Sequence, residues 1–146
     1  MKKVEIYTDG ACRGNPGHGG WAAILVYGVH KRELSGGERV TTNNRMELMA
    51  AIRGLSALRE SCEVTLYSDS KYLVDAVTLG WARSWRAKGW RKADKSEAKN
   101  PDLWGELLDL LDQHKVEMVW VKGHAGHEYN ERCDELATGA ADTFKD

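Results

Sequence analysis

The sequence has no uninterrupted apolar run of the ~18 residues that a membrane-spanning helix needs, which excludes a helical anchor. It also lacks the apolar core of a signal peptide: Met1-Lys2-Lys3-Val4-Glu5-Ile6 enters a strand-like pattern at once. Cysteine is scarce. Cys12, Cys62 and Cys133 are odd in number and in no metal-like spacing. Three free thiols in a reducing cytoplasm fit that count best. Repeats, low-complexity tracts and linkers are absent, so one domain spanning residues 1–146 is expected. A globule of this length buries roughly 68–70% of its unfolded surface and needs no staples.

Net charge is nearly absent too, at −1, but this conceals an asymmetry. Residues 80–100 hold seven bases and two acids, a net of +5, while the rest holds fourteen bases and twenty acids, a net of −6. An acidic body with one basic segment suggests a polyanion held in one place and something cationic in another.

Val4, Ile6 and Thr8 alternate with Glu5, Tyr7 and Asp9, the period of a strand, which places Asp9 at its end beside Gly10. Residues 14–20 are a turn by composition. Second and third strands follow at 21–27 and near 30–40, with a bulge expected at Gly36-Gly37. Thr41-Thr42-Asn43-Asn44 is a helix-start cluster, and Leu48, Ala51, Ile52, Leu55 and Leu58 form an amphipathic stripe after it. A fourth strand at 64–68 ends on Asp69, and Ser70 can cap a short helix. The basic segment predicts a helix to about 88, for which the plain explanation is an amphipathic helix with Leu79, Trp81 and Trp85 packed inward and a solvated basic face. A helix entered at Pro101, a fifth strand at 116–121 and a helix from 128 complete the chain. The order βββ-α-β-α-α-α-β-α implies a meander and then parallel crossovers. In such mixed sheets ligands collect beyond the carboxyl ends of the strands, where Asp9 and Asp69 fall.

Four acids recur in such places: Asp9, Glu47, Asp69 and Asp134. Each has a plain explanation. Asp9 can start an Asp-Gly turn. Glu47 can be the reciprocal partner of an Asn44 cap. Asp69 can favour the positive end of the helix it precedes. Asp134 shares the start of the last helix with Glu128, Glu131 and Glu135. Together these readings weaken: carboxylates converging at about 4 Å repel by about 4 kcal/mol per pair at an effective dielectric of 20. A fold retains that only around a cation. Oxygen donors without clustered His or Cys select Mg²⁺, with Mn²⁺ as a substitute. Two such ions form the clamp used for in-line phosphodiester attack. His124, in a glycine-flanked loop, suits proton movement at the leaving group or product release, against the alternative of a surface histidine.

Tyr7-Thr8-Asp9-Gly10-Ala11-Cys12-Arg13-Gly14-Asn15-Pro16-Gly17, Thr42-Asn43-Asn44-Arg45-Met46-Glu47-Leu48, Ser68-Asp69-Ser70 and Val121-Lys122-Gly123-His124-Ala125-Gly126-His127, with Asn130-Glu131-Arg132-Cys133-Asp134-Glu135, resemble type 1 ribonuclease H in its bacterial form. The resemblance runs essentially end to end. It implies an α/β ribonuclease H-like fold, a five-stranded mixed sheet of order 3-2-1-4-5 with the second strand antiparallel and helices on both faces. It implies a monomer that cleaves the RNA strand of an RNA–DNA hybrid and leaves 5′-phosphate and 3′-hydroxyl ends. Residue by residue, it makes Asp9, Glu47, Asp69 and Asp134 the ligands of two Mg²⁺ ions and His124 the proton or product-release residue.

For substrate, Trp81, Arg83, Trp85, Arg86 and Lys88 lie on the basic segment, which in the resembling family grips the DNA strand. A polar groove near Cys12, Asn15, Thr42, Asn43 and Asn44 suits the 2′-hydroxyl, which only RNA offers. One departure stands out. After Asp69-Ser70 many bacterial members carry glutamine, and this chain has Lys71. Lysine only donates, so a phosphate contact replaces any amide contact there. Two rivals remain: another nuclease of the same fold group, such as a junction resolvase or integrase core, and a non-catalytic hybrid-binding module.

Overall fold

The computed structural model describes residues 1–122 and 127–145. Strands β1 (Lys2–Arg13), β2 (Gly17–Tyr27) and β3 (His30–Thr41) are followed by α1 (Asn43–Ser56) and β4 (Cys62–Ser68). Then come α2 (Lys71–Thr78), α3 (Trp81–Ala87), α4 (Pro101–Gln113), β5 (Lys115–Trp120) and α5 (Glu128–Asp142). The element order is the expected one. The sheet runs β3-β2-β1-β4-β5. Strand β2 is antiparallel to β1 and β3, while β1, β4 and β5 are parallel.

Helices cover both faces. Ile6, Val64 and Leu66 meet Leu48, Ile52 and Leu55 of α1 and Trp104 and Leu107 of α4 on one side. Tyr7, Ala22 and Ile24 meet Cys133 and Ala137 of α5 on the other. Strand β1 is therefore buried on both faces, so Ile6, Tyr7, Thr8 and Asp9 are all buried in succession. Helix α5 lies so close that a Cβ on Gly20 would come 2.2 Å from the Ala137 carbonyl oxygen.

Several local expectations change. The turn between β1 and β2 is confined to residues 14–16, with a cis Asn15–Pro16 bond, and β2 already begins at Gly17. Strand β1 accordingly runs past Asp9 to Arg13. The register is regular at Gly36 and Gly37, which pair with Trp21 and Gly20; the irregularity lies between Gly17 and Gly19. Helix α1 is capped by Thr42, whose Oγ1 accepts the Arg45 amide at 3.2 Å, and not by Asn44.

The plain explanation of the basic segment does not hold for Leu79 and Trp81, which are 61% and 43% exposed. The buried pair on α3 is Ala82 and Trp85, three residues apart, and this rotates Trp81 to the edge. Trp85 packs edge-on to Trp104 with ring centroids 5.9 Å apart. The Trp104 indole donates to the Tyr72 hydroxyl at 2.9 Å. These rings tether the start of the basic segment to the core.

Candidate active site

The parallel β1–β4 ladder stops at Tyr7 and Tyr67, whereas β1 continues against β2. Asp9 thus emerges where β1 loses its parallel neighbour, although not at the strand's own end. Asp69 follows the last residue of β4. Helix α1 brings the third acid, and Gly10 decides how close it comes. A Cβ at Gly10 would fall 2.6 Å from the Glu47 backbone nitrogen and 2.7 Å from the Met46 carbonyl carbon. With glycine there the helix seats on the strand. The Gly10 amide then donates to both Asp9 Oδ1 and Glu47 Oε1, each at 2.9 Å. The Ser68 hydroxyl donates to Glu47 Oε2 at 3.4 Å and accepts the Ser70 amide at 3.0 Å.

One carboxylate oxygen from each of Asp9, Glu47 and Asp69 lies within 4.8 Å of the others. Asp9 and Glu47 are only 3% and 2% exposed, and Asp69 is half-buried. Burial first, and then the charges of Asp9 and Asp69, push the Glu47 pKa well above the usual carboxylate range. The separate explanations for Asp9 and Glu47 now fail, while Asp69 still directly precedes α2. Gly10 is paired within a strand, so there is no Asp-Gly turn. Glu47 faces Gly10 and Ser68, not a cap. Helix α2 is capped by Ser70, whose Oγ accepts the Leu73 amide at 3.2 Å.

The fourth acid, Asp134, is exposed on α5 and is not among the three. It follows Cys133, whose thiol donates to the Tyr7 carbonyl on Asp9's strand at 3.3 Å. His124 lies outside the described residues. All three cysteines are free thiols, and burial raises the pKa of each, which makes them poor nucleophiles.

The polar residues expected to read the substrate form one rim. Cys12 Sγ lies within 3.6 Å of the carbonyls of Gly14, Gly17 and Thr41. Asn15 Oδ1 accepts the Asn43 amide at 3.1 Å, which ties the β1–β2 turn to the start of α1. Asn43 and Asn44 are exposed beside Thr42, and Lys71 is exposed at the start of α2. The sequence reading missed Arg45, which donates to Asn100 Oδ1 at 3.1 Å and to both Asp102 oxygens. That link joins α1 to the end of the basic segment, and no short-range pattern announces it.

On the basic segment Trp85 is buried in the core, whereas Trp81 is exposed. Arg83 and Arg86 pair with Asp112 and Asp109 of α4 at 2.8 and 2.7 Å, and Arg91 lies 3.7 Å from Glu97. The +5 is therefore partly answered from within the molecule, while Lys88 stays exposed. Exposed pairs of this kind are worth only about 0–1 kcal/mol, so the arginines can exchange them for phosphates.

The family model described as RNase H matches residues 1–142. A ribonuclease H of Rippkaea orientalis is 64% identical over 140 residues, covering 96% of this chain and 86% of that protein. A ribonuclease H of Novosphingobium aromaticivorans is 60% identical over 141 residues, covering 97% and 98%. Among solved structures, LC9-RNase H1, a type 1 RNase H with the type 2 active-site motif, superposes with a TM-score of 0.87 at 33% identity, covering 99% of this chain and 74% of that one. LC11-RNase H1 in complex with an RNA/DNA hybrid gives 0.73 at 26% identity, covering 96% and 97%.

Proposed function

The chain belongs to the RNase H family, and from that premise we propose that it is an endonuclease that hydrolyses the RNA strand of RNA–DNA hybrids with divalent metal, leaving 5′-phosphate and 3′-hydroxyl ends. The observation that carries this reading is the trio of carboxylate oxygens within 4.8 Å of one another, two of the three side chains buried. Carboxylates with no His or Cys among them suit Mg²⁺ or Mn²⁺. Asp9, Glu47 and Asp69 would hold the metal, with Asp134 completing the set from α5. Two such ions, when bound, supply an activated water and charge neutralisation at the scissile phosphate. The chain's own work is positioning. The Gly10 amide and Ser68 hydroxyl fix Glu47 between the two aspartates. His124 takes or returns a proton at the leaving side, or helps product depart. The rim of Cys12, Asn15, Thr42, Asn43 and Asn44 faces the RNA strand and its 2′-hydroxyls. Trp81, Arg83, Arg86, Lys88 and Lys71 hold backbone phosphates. The free thiols are consistent with a reducing cytoplasm, and we take the working form to be a monomer.

The test is digestion of labelled hybrid, duplex DNA and a four-way junction side by side, with Mg²⁺ or EDTA, and with the product ends mapped. The expected result is Mg²⁺-dependent cutting confined to the RNA of the hybrid. Cutting of the junction instead would move the chain to the resolvase reading, and binding without cutting would make it a hybrid-binding module.

The basic segment gives a second expectation. Neutralising Arg83, Arg86, Lys88 and Arg91 to glutamine should raise KM, with a much smaller effect on kcat. It should also flatten the dependence of KM on salt by roughly 0.7–0.9 log units per decade for each phosphate that the protein no longer neutralises. An unchanged KM and slope would refute the assignment.

A further inference from the structure

At the carboxyl edge of the sheet the β4–β5 ladder ends at the pair Ser68 and Trp120. Two bonds continue beyond it. The Val121 amide donates to the Ser68 carbonyl at 2.9 Å. The Trp120 indole Nε1–H donates to the Asp69 carbonyl at 3.2 Å. Asp69 has left the strand, yet its main chain is still held to β5, now by a side chain. The indole is 43% exposed, and its ring centroid lies 5.4 Å from Lys71 Nζ. Lys71 is the first residue of α2, where the partial positive charge of the helix end disfavours a cation. A single ring therefore touches the main chain of a cluster acid and a lysine that is badly placed for the stability of its own helix.

We propose that Trp120 is a positioning residue of the carboxylate site: it fixes the peptide that carries Asp69 and braces Lys71 so that its ammonium binds a backbone phosphate of the hybrid beside the carboxylates. The proposal rests on the hybrid-cleaving reading above. Its chemistry follows from the surroundings. A polyanion approaching Asp9, Glu47 and Asp69 meets like charge, and a cation at the rim offsets this on the approach. Lysine brings a point charge and three donors and no acceptor, which suits a phosphate. An ammonium resting on an indole face loses less freedom on binding than one on an unbraced stem. The indole N–H, in turn, holds the Asp69 carbonyl beyond the end of the β4–β5 ladder.

The test compares the parent with Lys71→Gln, Lys71→Arg, Trp120→Phe, Trp120→Ala and the pair Trp120→Ala with Lys71→Gln. KM and kcat on the hybrid are measured across a salt series, and Mg²⁺ binding is measured by calorimetry without nucleic acid. Lys71→Gln should raise KM roughly five- to tenfold, more than it lowers kcat. It should also flatten the salt slope by roughly 0.7–0.9. Lys71→Arg should restore both. Trp120→Phe keeps a ring under Lys71 and lacks the N–H, so it should keep the slope while weakening Mg²⁺ binding roughly tenfold. Trp120→Ala should do both, and adding Lys71→Gln to it should flatten the slope no further. A merely structural Trp120 would lower the melting temperature and leave slope and Mg²⁺ affinity alone, and that outcome overturns the proposal. So does a parental slope in Lys71→Gln. If the parent fails to cut hybrid, the functional reading itself falls; if the parent cuts and the variants match it, only this inference falls.

Discussion

Asp9→Asn should lower the cleavage rate by about 10³-fold or more, the scale of losing several kcal/mol of metal-borne stabilisation, and yet yield a protein that melts higher than the parent in EDTA. Both results come from the same crowding. At the 4.8 Å limit of the cluster, two ionised carboxylates repel by roughly 3 kcal/mol at an effective dielectric of 20. This crowding is, after burial, the second cause that raises the Glu47 pKa. A carboxyl whose folded pKa exceeds its ordinary value near 4.5 binds the proton more tightly when folded. Its contribution favours the fold at and below that ordinary value and is lost as pH rises through the folded one. Without metal, the Glu47 site therefore weighs more on the fold as pH rises above that ordinary value. Replacing Asp9 by a neutral amide removes one of the charges that raise Glu47. The advantage of the variant should grow with pH and reach about 1 kcal/mol, or roughly 3–6 °C at this length. Saturating Mg²⁺ should stabilise the parent by mass action and shrink the gap. Hybrid binding in Ca²⁺ should persist. Normal turnover by Asp9→Asn would end the enzyme reading, and a variant that melts lower in EDTA would end the electrostatic account.

The same acids show how much was legible in the sequence. Asp9 and Asp69 could be placed because β1 and β4 announce themselves by period, and parallel crossovers send their carboxyl ends to one edge. Glu47 sits one turn into a helix whose apolar stripe is plain. What was not legible depends on neighbours distant in the chain. Gly17, Gly19 and Gly20 read as a turn by composition, yet they belong to β2. Gly20 is glycine because the α5 backbone passes over it. Composition does not separate a glycine that bends the chain from one that admits another backbone. Trp85 can be read as an inward residue from its helix, but Trp104, which takes its edge, lies nineteen positions later and no local spacing points to it. Arg83 and Arg86 look free until α4 supplies Asp112 and Asp109. Ser68 and the Gly10 amide orient Glu47 from two different strands, a relation that no spacing encodes.

Gly10→Ala should act in the opposite sense from its neighbour, lowering stability and activity together. The added methyl would lie 2.6 Å from the Glu47 backbone nitrogen and 2.7 Å from the Met46 carbonyl carbon. Those atoms are helix backbone and cannot turn aside as a flexible side chain would. Either α1 lifts from β1 or the strand bends, and overpacking of this kind costs about 1–3 kcal/mol. The expected fall in melting temperature is several degrees, in Mg²⁺ and in EDTA alike, because the clash does not depend on charge. Lifting α1 also draws Glu47 Oε1 away from the Gly10 amide and opens the carboxylate trio. A displacement near 1 Å at a catalytic group can cost roughly 10²-fold in rate. Measured well below the new melting temperature, kcat should therefore fall by about that factor. Weaker Mg²⁺ binding should accompany it, since the ligands no longer converge. Adjacent substitutions in one strand thus move melting in EDTA in opposite directions while both suppress cleavage: Asp9→Asn relieves repulsion that the fold tolerates, and Gly10→Ala breaks the contact that brings Glu47 in. A Gly10→Ala protein with parental melting and parental kcat would show that α1 is not seated on β1 as closely as the site requires.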